Sequence, residues 1–156
     1  MKRTLLLVLA VLSLGMARRA PEKKSPQKRR PAMDVSQLMV ADAQWHGLQC
    51  QVTKPEHQIV KDKAAWEALW SRAFKQPAPP VDFSKRFAVA VFAGVRHTGG
   101  YSVVFLPAES DGKDVVIKYR IRAPGKGSFV IQAFTQPYSV QMFKATQAQV
   151  RVVEAR

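Results

Sequence analysis

The chain predicts an α+β fold, a mainly antiparallel β-sheet with one helix packed against it, and three observations carry that expectation. Phe87 to Ala93 is apolar at every position, so a strand there must be covered on both faces. Val115, Ile117, Tyr119 and Ile121 alternate with Val116, Lys118, Arg120 and Arg122, the period of a strand with one buried and one wet face. Trp66, Leu69, Trp70, Ala73 and Phe74 instead recur at i, i+3, i+4, i+7 and i+8, one wide helical stripe.

From the N-terminal side, Pro31 to Ala43 is transitional, with Val35, Leu38, Met39 and Val40 apolar enough to dock as a short first strand or turn. Leu48 to Val52 and Gln58 to Val60 read as two extended pieces around a turn at Lys54-Pro55-Glu56. Cys50 shares the alternation of Leu48 and Val52, which puts it on an inward face. Asp62 is a good N-cap for the helix, which runs to about Lys75 because Pro77, Pro79 and Pro80 forbid continuation. Core packing against the sheet is the expected role of its stripe. Asp82 is placed to cap a turn before the next strand.

Val81 to Leu106 reads as a core hairpin: Phe87 to Ala93 turns through Thr98-Gly99-Gly100, where glycine supplies positive φ, into Tyr101 to Leu106. Glu109 to Lys113 is a turn leading into the strand Asp114 to Arg122, whose Lys118, Arg120 and Arg122 form a basic stripe. Ala123 to Ser128 is a flexible loop, and Phe129 to Phe134 is either a further strand or an ordered apolar loop. Tyr138 to Phe143 and Gln149 to Val153 read as a final pair of strands.

Before this domain, Lys2 and Arg3, the apolar run Thr4 to Leu14, and Gly15-Met16-Ala17 have the three-part form of an export signal over residues 1–17. Its apolar run is short of the roughly 20 residues that a permanent span needs. Residues 18–33 form a basic, proline-interrupted stretch that composition marks as a disordered linker, and residues 34–156 form the domain. The formal net charge of +14 is uneven: residues 1–30 hold nine bases against one acid, and the remainder holds 16 against 10. More than half of the excess therefore lies outside the domain. In an exported protein, periplasmic or extracellular, the tail fits weak contact with an anionic membrane surface better than nucleic acid.

The sequence offers no assembled chemistry. His46, His57 and His97 sit in turn-like surroundings without a metal-ligand or hydrolase pattern, so no catalytic residue, cofactor or metal is expected. Cys50 is the lone cysteine, which excludes an intrachain disulfide. A Cys50–His57 dyad is conceivable, but a buried structural thiol accounts for the residue more simply.

Trp66 to Trp70 (WEALW) on the helix, Val81-Asp82-Phe83-Ser84, the apolar strand ending at Gly94, Thr98-Gly99-Gly100-Tyr101 and Thr135-Gln136-Pro137-Tyr138 occur here in one order. In that order, over roughly Val60 to Val153, the chain resembles the C-terminal domain of PrcB, the non-catalytic subunit of a bacterial secreted protease complex. His97 stands where that pattern has proline. The resemblance implies an exported, non-catalytic interaction domain that stabilises or assists a secreted protease. A small secreted protease inhibitor is the alternative, and an undetected hydrolase the third reading. The expected contact residues are His97, Thr98, Gly99, Gly100, Tyr101, Thr135, Gln136, Pro137 and Tyr138, because these turns carry polar and tyrosine side chains that a core does not need.

Ala17 is the best small residue behind the apolar run, so intact-mass measurement on exported protein should find a chain beginning at Arg18. A membrane-fraction protein that retains Met1 is the result that would refute cleavage there.

Overall fold

The computed structural model describes residues 39–110 and 113–155; the expected export signal (1–17), the expected linker (18–33) and residues 34–38 lie outside the described residues, as do Asp111 and Gly112 of the predicted turn. Within them the apolar run becomes β3 (Arg86–Phe92), and Phe87 to Ala93 is buried throughout, as its composition requires. Antiparallel neighbours flank it in the order β1-β7-β3-β2, with β1 spanning Met39–Gly47, β2 Glu56–Val60 and β7 Tyr138–Lys144. The second sheet is built on β6 (Asp114–Arg122). β4 (Ser102–Phe105) and β5 (Glu109–Ser110) pair with it antiparallel, and β8 (Gln149–Glu154) pairs with it in parallel.

Helix α1 (Lys63–Phe74) starts where Asp62 accepts the Ala65 amide at 2.8 Å and stops at Lys75, whose φ of 55° is left-handed. Its stripe covers one face of the first sheet: Trp66, Leu69, Trp70 and Ala73 pack with Ala88, Ala90, Phe92, Val140 and Met142. The other face meets the second sheet, where Phe87, Val89, Val91 and Ala93 share a core with Val103, Val115, Ile117, Tyr119, Val150 and Val152. The domain is thus three layers, helix on sheet on sheet. Alanines face the bulky tryptophans and valines face the second sheet, so large and small side chains complement each other across each layer. Trp45 from β1 joins the helix cluster, its ring centroid 5.5 Å from Trp66 and 5.7 Å from Trp70. The Trp66 indole donates to the Pro79 carbonyl at 2.8 Å, tying the proline-rich return to the helix.

Four expectations need correction. β3 and β4 both exist but do not pair, because the chain crosses from one sheet to the other between them and the predicted hairpin is absent. Leu48 to Val52 is loop rather than strand: β1 and β2 occupy opposite edges of the first sheet, so this segment has to pass across the ends of β7 and β3. Cys50 and Val52 are nonetheless buried. The last two strands lie in different sheets, since β7 completes the first and β8 the second. His46 and His57 sit on β1 and β2 rather than in turns, and only His97 lies in a bend.

Asp82 caps its turn as expected, accepting from the Ser84 amide at 3.0 Å and hydroxyl at 2.6 Å. These bonds, the hydroxyl first, hold its carboxyl below the ordinary carboxylate range. Of the two turn glycines, Gly100 alone has positive φ, 81°; a β-carbon there would lie 2.7 Å from Val130 Cγ1 and 2.8 Å from Pro124 Cβ. Gly99 lacks that φ, and the atoms nearest its β-carbon would belong to Ile131, Cγ1 first at 2.5 Å. Gly100→Val should therefore cost about 1–3 kcal/mol, and Gly99→Val less because the exposed Ile131 side chain can swing aside. Urea unfolding midpoints at constant slope measure both, and equal midpoints for Gly100→Val and wild type would exclude the strain.

Candidate functional site

Three connections meet at one end of the molecule: residues 48–55 between β1 and β2, 93–101 between β3 and β4, and 123–137 between β6 and β7. Backbone bonds lace them together. Arg96 and Thr135 exchange amide–carbonyl bonds of 2.8 and 2.9 Å, and the Ala93 amide donates to the Pro137 carbonyl at 2.8 Å. The Gly99 amide reaches the Ile131 carbonyl at 2.9 Å, the Gln136 amide the Leu48 carbonyl at 2.8 Å, and the Val95 amide the Thr53 carbonyl at 3.0 Å. The Thr135 hydroxyl closes the set by donating to the Thr98 carbonyl at 3.0 Å. Loops satisfied in this way are held in one arrangement by the sheets beneath them.

The structure brings all nine expected contact residues to this end, but gives them different positions. His97 and Gly100 are exposed, and Thr98, Tyr101, Gln136 and Tyr138 are half-buried. Gly99, Thr135 and Pro137 are buried and support the surface from below. Tyr138 turns toward the helix, its ring 4.7 Å from Phe74. Tyr101 carries the Arg96 guanidinium over its ring at 5.3 Å, and His97 lies 5.3 Å from Phe134. Arg96 Nε and Gln136 Oε1 are buried without a hydrogen-bond partner, an uncommon cost concentrated in this region.

Sequence reasoning missed the apolar part of the surface. Leu48, Val95, Phe129, Ile131 and Phe134 are all exposed, and Phe129 fully so. The signal was present in Phe129 to Phe134, whose lack of strict alternation after a glycine-rich loop argues against a strand, but exposure of these side chains cannot be read from composition.

Beside the turns is a shallow recess of about 190 Å³, lined by Gln49, Cys50, Gln51, Trp70, Ala73, Phe74, Gln76 and Tyr138. Cys50 donates weakly to the Gln136 carbonyl at 3.5 Å and the Val52 carbonyl at 3.8 Å. Burial pushes its thiol above the ordinary value, and burial does the same to Tyr138. His57 is nowhere near a dyad geometry. It is opposite Val91 in register, on the second-sheet side with its ring 6.0 Å from Tyr119, whereas Cys50 belongs to the helix-side core. Among the described residues no group of three or more His, Cys, Asp or Glu could hold a metal ion, and no helix is long and apolar enough to cross a membrane.

The family model described as PrcB C-terminal matches residues 87–144, from the second residue of β3 to the last of β7. It spans both interlocked turns but not WEALW or Val81 to Ser84. No curated protein and no solved structure matches the chain.

The buried thiol has a pH signature. A folded-state value above the unfolded one means that the native protein holds its proton longer, so stability is complete below the unfolded value near 9 and is lost as pH rises through the folded value. Denaturation midpoints should fall above about pH 9, and Cys50→Ala should flatten that fall. An unchanged alkaline profile in Cys50→Ala would remove Cys50 as the cause.

Proposed function

We propose that this chain, whose residues 87–144 match the PrcB C-terminal family model, is an exported, non-catalytic interaction module that stabilises or assists a secreted protease. The observation that carries the reading is the interlocking of the TGGY and TQPY turns. They are far apart in sequence, and the Arg96–Thr135 bridge and the Thr135-to-Thr98 bond join them into one pre-ordered surface. A surface fixed before binding loses little conformational freedom when a partner docks, which favours affinity without new contacts. Its half-buried tyrosines are a side-chain type that protein contacts favour. Protein rather than cofactor is the partner that this turn-built surface suits.

His97 is exposed, and Thr98 and Gln136 are half-buried, with side chains that make no hydrogen bond holding the turns together. Thr98 contributes its carbonyl, not its hydroxyl, to the bond with Thr135, and Gln136 leaves its buried amide oxygen unpaired. His97 touches only Phe134 by ring contact. Replacing His97, Thr98 and Gln136 together with alanine should leave the melting temperature nearly unchanged and weaken a co-purified partner about tenfold or more. Full-strength retention by a folded triple variant would place the contact elsewhere. Adding the wild-type protein to the captured protease separates two roles, since an accessory partner preserves proteolysis and an inhibitor lowers it.

A further inference from the structure

The loop from Ala123 to Phe134 presents side chains that its own fold does not use. Phe129 is fully exposed, Ile131 is 60% and Phe134 63% exposed, while Val130 between them turns inward against Gly100. Apolar groups left together in water mark a contact that the isolated chain does not make. The charges around them have one sign. Residues 48–55, 93–101 and 123–137 contain Lys54, Arg96 and Lys126 and no Asp or Glu, and Arg122 closes β6 at the same end. Glu56, the nearby acid on β2, is ion-paired with Arg72 at 2.6 Å, and Glu154 is level with Tyr119, inward of Arg122. Asp62, Asp82, Glu109 and Asp114 lie toward the opposite end.

We propose that this end of the domain seats on an anionic lipid surface, with Phe129, Ile131 and Phe134 entering the interfacial layer and Lys54, Arg122 and Lys126 facing lipid phosphates. Lipid is favoured over a protein groove because these side chains are exposed together beside cations, and the recess beside Cys50 includes none of them. A planar interface receives projecting apolar groups without matching their shape, and its negative potential attracts a rim of cations that no acid offsets. The inference does not depend on the protein partner, whose expected contact set, His97 to Tyr101 and Thr135 to Tyr138, includes none of Phe129, Ile131 and Phe134.

The full-length exported protein, basic tail included, is mixed with phosphatidylcholine vesicles with or without phosphatidylglycerol. A tryptophan introduced by Phe129→Trp reports on the loop, because Trp45, Trp66 and Trp70 sit in the helix-side cluster. Its emission should shift to the blue, and be quenched by lipids brominated in their acyl chains, only when phosphatidylglycerol is present. Phe129→Ser with Phe134→Ser should weaken vesicle binding about tenfold while leaving the melting temperature unchanged, since both rings are exposed. Equal binding of that double variant and wild type, with the new tryptophan unaffected, would show tail-only association and overturn the proposal. Emission that shifts with a co-purified protein but not with vesicles would assign the loop to a protein contact, and would overturn it as well.

Discussion

A single strand that cannot touch water organises this protein. Phe87 to Ala93 must be covered on both faces, and every layer is a response: the helix brings Trp66 and Trp70 over Ala88 and Ala90, and the second sheet brings Val115, Ile117 and Tyr119 over Val89 and Val91. At roughly 25 cal/mol per Å² of apolar surface removed from water, an uncovered face of such a strand would outweigh any ion pair seen on the surface. The five ion pairs among the described residues, such as Lys63–Glu67 and Lys85–Asp82, join mostly exposed groups and add little beside it.

The same arrangement separates structural from contact-making residues in the turns. Because β3 and β7 pair along their whole length, from Arg86↔Lys144 to Phe92↔Tyr138, the segments leaving β3 and entering β7 start side by side. Thr135, Pro137 and Gly99 complete that junction and are buried; His97, Thr98 and Gln136 lie above it. The sheet register, rather than any property of the loops themselves, therefore decides which turn residues are available to a partner.

Local chemistry was legible in the sequence where neighbours in the chain are also the deciding neighbours in space. Asp62 as N-cap, the stripe from Trp66 to Phe74, the burial of β3, the alternation of β6 and the Asp82 cap all follow from spacing and short-range hydrogen bonding. The pairing of strands was not legible in this way. A hairpin between β3 and β4 satisfied every local rule, yet β3 finds Gln141 and Val140 on one side and Ile59 on the other, partners chosen by burial across distant segments. The candidate surface divides similarly. The polar turns were visible as motifs, whereas Leu48, Val95 and Phe134 reach the same end only through the crossing of residues 48–55 and the lacing of the loops.

That crossing also sets the order in which the first sheet can form. β1 has β7 as its pairing partner, and the bond from Gln44 to Ser139 spans 95 residues. No stepwise zipping of adjacent hairpins can build such a sheet; long loops must close before their contacts stabilise anything, a topology associated with folding in milliseconds to seconds rather than microseconds. As the chain is synthesised, Met39–Gly47 is the first strand of this sheet to emerge and its partner Tyr138–Lys144 is the last. Until then the central strand has one edge unpaired, and protection of that edge during synthesis falls to whatever holds the nascent chain.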